Sequence, residues 1–214
     1  MNEPNRILLF TGGNLGSWAL DQIEKGDKLI GVDRGALFLI QHNFQPYLSL
    51  GDFDSVTEEE REKIRLHSGE FSDCDPIMKD QTDTEMAFEW ALKQEAQEII
   101  LLGALGTRFD HSLANVHLLR RGLEKGIPCR IIDERNELRV MEKGLQIKKS
   151  NFTHVSLLPL SLQVTGITLT GFQYPLNKAT LTIGDSLGVS NVLVKPVGQI
   201  EIESGLLLVI QSKD

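Results

Sequence analysis

Tyr47-Leu48-Ser49-Leu50-Gly51-Asp52-Phe53-Asp54-Ser55 runs from a short apolar stretch straight into two carboxylates, and its reading decides the fold. Residues 47–50 have the length and apolarity of a buried strand. Side chains two apart leave the same face of an extended chain, so Asp52 and Asp54 share a side just past the strand's end. Carboxylates held together repel unless a cation lies between them, and hard oxygen donors suit Mg²⁺. The plainer alternative is a turn rich in Asp, with Ser55 capping a helix that begins near Thr57-Glu58-Glu59-Glu60.

Working outward, four more near-continuous apolar runs, at residues 7–10, 28–32, 98–102 and 129–133, read as strands buried on both faces. Helical periodicity falls between them, near residues 17–25, 36–42, 57–68, 82–93 and 112–125. The fourth opens on Thr82-x-x-Glu85, a capping box, and Met86, Ala87, Trp90 and Ala91 follow at helical spacing. Alternating strand and helix predicts an α/β domain, an open and mostly parallel sheet with flanking helices, over residues 1–143. Beyond residues 143–151 the pattern changes to short β-branched runs at 152–158, 166–170, 179–183, 192–195, 199–203 and 206–211. Gly, Pro, Asn and Asp punctuate them, which predicts a C-terminal antiparallel β-sandwich over residues 150–214.

A chain of 214 residues needs no covalent staple for its core. Its net charge of −8 carries no basic stripe, so neither nucleic acid nor an anionic membrane surface is the expected partner. Cys74 and Cys129 have no zinc-ligand spacing. The first residues have no signal-peptide shape and no apolar run has membrane-spanning length, so a cytoplasmic protein is expected.

Ligands of open α/β sheets bind outside the C-terminal strand ends, and the polar motifs fall there. Thr11-Gly12-Gly13-Asn14 follows the first strand with glycines that permit close approach to phosphate, although such a pair is often only a turn. Val32-Asp33-Arg34-Gly35-Ala36 follows the second and places a carboxylate and a guanidinium at a helix start, where a surface ion pair or cap would serve equally. Lys79-Asp80-Gln81-Thr82-Asp83 leads into the fourth helix, whose dipole alone would favour acids there. Residues 103–111, Gly-Ala-Leu-Gly-Thr-Arg-Phe-Asp-His, follow the strand ending at Leu102, and Asn115 lies one helical turn past His111. Arg108 offers a planar fork for phosphate, and Asp110 is placed to orient Arg108 or His111, or to cap the helix. Together these put metal acids, phosphate cations and glycines on one sheet edge, the makings of nucleotide-dependent phosphoryl transfer without a Walker A or kinase-type loop.

Read together, these motifs resemble the thiamine pyrophosphokinase family. In the β region Ser156-Leu157-Leu158-Pro159-Leu160, Thr165-Gly166, Gly171-Phe172-Gln173-Tyr174-Pro175-Leu176 and Ser190-Asn191 are also similar, in order, over nearly the whole chain. The resemblance implies an α/β catalytic domain binding ATP and Mg²⁺, a β-sandwich binding thiamine, and a homodimer with sites between subunits. It assigns Asp52, Asp54 and Asp83 to Mg²⁺, and Asp33, Arg34, Lys79, Asp80, Arg108, Asp110 and His111 to ATP. Tyr174, Ser190 and Asn191 fall in the thiamine region, and Asp52, Asp54, Asp80, Asp83 and Arg108 carry the catalysis. Two positions depart from the family pattern: Thr107 stands where a second glycine is common, and Val192 where an acid is usual. Three other readings share part of this pattern: a metal-dependent phosphohydrolase, a nucleotide or thiamine sensor without turnover, and a diphosphokinase acting on a pterin or related alcohol.

Overall fold

A computed structural model describes residues 5–73 and 80–214, which fall into two compact units, Met1–Glu134 and Arg135–Asp214. In the first, strands β1 (Arg6–Phe10), β2 (Lys28–Val32), β3 (Leu48–Gly51), β4 (Glu70–Asp73), β5 (Glu98–Leu102) and β6 (Cys129–Ile132) lie in the order β4-β3-β2-β1-β5-β6. Every one of these pairings is parallel. The helices are α1 (Ser17–Leu20), α2 (Arg34–Gln41), α3 (Glu58–His67), α4 (Asp83–Leu92) and α5 (Phe109–Glu124). Leu8, Phe10, Ile100 and Leu102 form one apolar cluster with Ala19 and Leu39, while Ile7, Leu9, Ile99 and Leu101 alternate to the other face. All eight of these strand residues are fully buried, which is why the strands read as unbroken apolar runs. The chain winds outward from β1 to β4 and then returns to β5 on β1's other flank. The reversal lies between β1 and β5, so a ligand crevice is expected at their C-terminal ends.

The second unit contains β7 (Asn136–Met141), β8 (Gly144–Lys148), β9 (His154–Pro159), β10 (Gln163–Thr170), β11 (Ala179–Thr182), β12 (Val197–Glu201) and β13 (Leu207–Ser212). The order β7-β13-β9 is antiparallel throughout and contributes Met141, Val155, Leu157, Leu207 and Val209 to a shared core. The antiparallel sheet β11-β10-β12-β8 contributes Ile147, Val164, Ile167, Leu169, Leu181 and Ile200 to that core. Two sheets sharing one core make the expected sandwich.

Several local expectations need correction. The helix expected over residues 17–25 stops at Leu20, because Gln22's carbonyl accepts from Arg6 Nη2 at 2.9 Å and Glu24's N–H donates to Asp27 at 2.7 Å. Those groups are then lost to a continuing helical ladder. Residues 192–195 form no strand; only isolated bridges, Asn191 to Val155 and Leu193 to Phe172, hold that segment. Strands β4, β7 and β8 arise where no strand was expected. The second unit accordingly begins ahead of the change in pattern near Lys143. Among the described residues no helix is long and apolar enough to cross a membrane.

Cys129, at the start of β6, is buried, and burial pushes its thiol up to about 12, with Glu98 adding to the shift. Its thiolate fraction at pH 8 is then only about one in ten thousand. In a Cys74→Ser variant, iodoacetamide at pH 8 is expected to leave the native protein unlabelled and to label Cys129 after denaturation. Native labelling at the rate of a free thiol would contradict this.

Candidate active site

Loops after β1, β2, β3 and β5 and the start of α4 meet at the sheet's C-terminal edge. The Asp33, Asp52 and Asp83 carboxylates, all half-buried, have oxygens within 4.8 Å of one another. Asp33 sits at φ 49° and ψ −120°, a conformation that a residue with a Cβ rarely adopts. Its N–H donates to the Leu50 carbonyl at 3.1 Å and its Oδ1 accepts from the Phe53 N–H at 3.2 Å. Phe53 is itself buried and stacked on Phe71 with centroids 4.8 Å apart, which anchors the turn that carries Asp52. Asp52 Oδ1 in turn accepts from the Asp54 N–H at 3.1 Å. At α4 the Thr82 hydroxyl accepts from the Glu85 N–H at 3.1 Å, one half of the expected capping box, while the Glu85 carboxylate pairs with Arg121 at 2.8 Å; the cap makes Asp83 the first helical residue.

Beside the acids is a cavity of about 270 Å³, lined by residues 11–13, Asp33, Asp83, Gly103, Arg108, His111 and Asn115 among others. The two loops bordering it are in close contact: a Cβ on Gly13 would overlap the Gly103 carbonyl oxygen. Asn115 is buried and donates to the Ala104 carbonyl at 2.8 Å, so it fastens the loop after β5 instead of turning to a ligand. Ser112 accepts from the Gly106 N–H at 3.0 Å and braces the same loop. Arg108 is exposed and forked onto Asp110, with Nη2 to Oδ2 at 2.7 Å, and this guanidinium holds the Asp110 carboxyl below the usual carboxylate range. An exposed pair of this kind is weak, so an arriving phosphate competes readily for the guanidinium.

The structure thus joins Asp52 and Asp83 with Asp33, which the resemblance had placed with ATP. Asp54 is exposed and is not part of that trio. Asp80 is exposed just ahead of α4, and Lys79 lies outside the described residues. Arg34 opens α2, is exposed, and lines a neighbouring cavity. Thr107, at the departure from the family pattern, lines the acid cavity. Thr11 lines the cavity as part of the Thr11-Gly12-Gly13-Asn14 motif, whereas Ser112 was missed as a site residue, its only signal in sequence being its position in the first turn of α5. Three hard oxygen donors that would repel one another when bare fit a divalent cation such as Mg²⁺.

In the second unit Tyr174 is 60% exposed. Asn191 is buried; its Nδ2 donates to the Tyr174 carbonyl at 2.7 Å and its Oδ1 accepts from the Tyr174 N–H at 3.1 Å. Its amide therefore holds Tyr174 in place. Oδ1 also accepts from the Val192 N–H at 2.8 Å, so Val192 serves this junction through its backbone. Ser190 is exposed at φ 60°, with its N–H donating to Ser156 Oγ at 3.0 Å. The Asn191 bridge brings Tyr174 and Ser190 to one end of the unit.

Comparison with known proteins gives the same division. Residues 20–131 match the family model "Thiamin pyrophosphokinase, catalytic domain", and residues 144–207 match "Thiamin pyrophosphokinase, vitamin B1 binding domain". The chain is 38% identical over 192 residues to a thiamine pyrophosphokinase of Bacillus subtilis (strain 168), covering 86% of this chain and 87% of that protein. A crystal structure of thiamine pyrophosphokinase from Bacillus subtilis superposes with a TM-score of 0.91 at 33% identity, covering 98% of this chain and 100% of the other. One from Geobacillus thermodenitrificans gives 0.88 at 33% identity, with 98% of each chain covered.

Proposed function

The chain belongs to the thiamin pyrophosphokinase family, and from that premise we infer that it transfers the diphosphoryl group of ATP to thiamine, giving thiamine diphosphate and AMP. The observation that carries this reading is the pairing, in one chain, of a catalytic and a vitamin B1 binding domain match with carboxylates gathered at the sheet's C-terminal edge. In this reading the primary hydroxyl oxygen of thiamine attacks the β-phosphorus in line. The bond from that phosphorus to the oxygen bridging it to the α-phosphorus breaks, and AMP departs with that oxygen.

Asp33, Asp52 and Asp83 would hold Mg²⁺, whose chemistry when bound is to neutralise phosphate charge and polarise the phosphoryl oxygens. Arg108, on leaving Asp110, binds the transferred diphosphoryl group, and Lys79 is assigned the same task. Residues 12 and 13, through their backbone N–H groups, and the His111 side chain border the cavity and orient the phosphates, the Thr11 N–H being held by the Leu102 carbonyl at 2.9 Å. Asp54 or Asp80, both exposed near the acids in sequence, takes the hydroxyl proton. Tyr174 offers its exposed ring to the cationic thiazolium, with Ser190 alongside. The working form is read as a cytoplasmic homodimer, supported by exposed Leu162, Ile183 and Leu187 on the second unit.

The test is chromatography of a reaction containing ATP, thiamine and Mg²⁺. AMP and thiamine diphosphate should appear in equal amounts and vanish with a chelator. ADP with free phosphate would make the protein a hydrolase, and thiamine binding without turnover a sensor. Preference for a pterin alcohol in competition would make it a different diphosphokinase. Light scattering should give twice the mass of one chain.

A further inference from the structure

Residues 106–111, which carry Arg108, Asp110 and His111, are exposed without a break. Apolar packing therefore does not hold this arc in shape. A Cβ built on Gly106 would meet nothing within 4 Å, so no neighbour crowds the start of the arc. Thr107 is not among the residues of positive φ, which is why a side chain with a Cβ is accepted at this departure from the family pattern. A β-branched residue there also leaves the arc stiffer than glycine would.

The hydroxyl that closes the arc belongs to Ser112, half-buried in the first turn of α5. Its Oγ accepts from the Gly106 N–H at 3.0 Å and donates to the Arg108 carbonyl at 3.2 Å. The Ser112 N–H donates to that same carbonyl at 3.1 Å. Both ends of Gly106-Thr107-Arg108 are thus tied to one residue. Arg108 is the N-cap of α5 and makes no side-chain cap bond, so Ser112 reaches back from inside the helix to do the fastening. The consequence falls on Arg108. Its guanidinium is exposed and paired with Asp110, which rides on the same arc. Where that guanidinium points is then set by the backbone that Ser112 holds.

We propose that Ser112 is a positioning residue for the transferred phosphates: its hydroxyl fixes the Arg108 backbone at the wall of the acid cavity and so aims the guanidinium. The proposal rests on the diphosphotransfer reading and adds to it what keeps Arg108 in place. Ser112→Ala removes the hydroxyl but inserts the better helix former, so α5 itself is not weakened. Calorimetry with inorganic pyrophosphate and Mg²⁺ should show affinity about tenfold weaker, the loss of one well-aimed charge-assisted contact, with Tm unchanged or higher. Ser112→Thr keeps a hydroxyl and should bind pyrophosphate nearly as the wild type does. In an Arg108→Gln background, Ser112→Ala should cost nothing further, because the group it aims is gone. Equal losses in both backgrounds would overturn the proposal, as would unchanged pyrophosphate affinity in Ser112→Ala. A loss accompanied by a lower Tm and not restored by threonine would also overturn it, leaving Ser112 a purely structural residue. Pyrophosphate binding needs no turnover, so the premise is tested separately. A protein that forms no thiamine diphosphate yet shows the non-additive loss would fail the premise and keep Ser112 as the positioning residue of a phosphate site.

Discussion

Replacing Asp52 with asparagine is expected to lower kcat roughly 10³-fold while leaving the protein folded. Asp52 shares its oxygens' neighbourhood with Asp33 and Asp83, so asparagine removes a full charge from a set within 4.8 Å. Without a cation those charges repel by about 1 kcal/mol per pair after solvent screening. The cation-free variant should therefore melt no lower than the wild type, and about 4–8 °C higher if the relief of both Asp52 pairs is fully expressed. The Mg²⁺-induced rise in Tm should disappear with the activity. Asp83→Asn should lose activity likewise but gain no stability, because Asp83 also opens α4, where its charge meets the helix dipole favourably. Asp54→Asn separates two possible acid sets: exposed and outside the trio, it should lose turnover but keep the Mg²⁺-induced shift. Loss of that shift in Asp54→Asn with its retention in Asp33→Asn would return the cation to Asp52, Asp54 and Asp83. An Asp52→Asn variant that turns over normally would remove the metal assignment altogether.

What was legible in sequence follows from how each element is buried. β1, β2, β3, β5 and β6 lie inside a covered sheet, so their unbroken apolar runs announced them. β4, Glu-Phe-Ser-Asp, has no fully buried residue and lies at the sheet's edge, so no apolar run marks it. β7 and β8 carry Glu137, Arg139 and Lys148 on half-exposed faces, and their alternation is too diluted to read. The reverse error at residues 192–195 has the same root: Val192 and Val194 suit a strand, but Pro196 and the Asn191 junction leave only single bridges. At the site, the order of the motifs along the chain revealed which acids lie at strand ends. It did not reveal that Asp33 turns toward Asp52. That depends on a positive φ at an ordinary Asp, fixed by hydrogen bonds to β3 and by the burial of Phe53, and local sequence does not encode it.

Gly51→Ala tests that long-range arrangement, and its effect should rival loss of an acid. Gly51 ends β3 at φ 152°, and a Cβ there would overlap Asp33 Oδ1 and crowd the Asp33 N–H. The methyl group cannot move away, because the Asp33 N–H is bonded to the Leu50 carbonyl and Phe53 is packed on Phe71. One of two things must give. If the Asp33 side chain rotates, the trio opens and kcat falls by about 10²-fold or more, with a stability loss of roughly 1–2 kcal/mol. If the turn itself shifts, Phe53 leaves its pocket and the cost rises to about 3 kcal/mol, comparable to truncating a buried aromatic. A Mg²⁺ titration of Tm distinguishes the two, since the first outcome weakens the cation's effect in a protein that otherwise melts nearly normally. Gly51→Ala with wild-type kcat and an intact Mg²⁺ shift would show that Asp33 has no place in the cation site, leaving Asp52 and Asp83 to hold it with another partner.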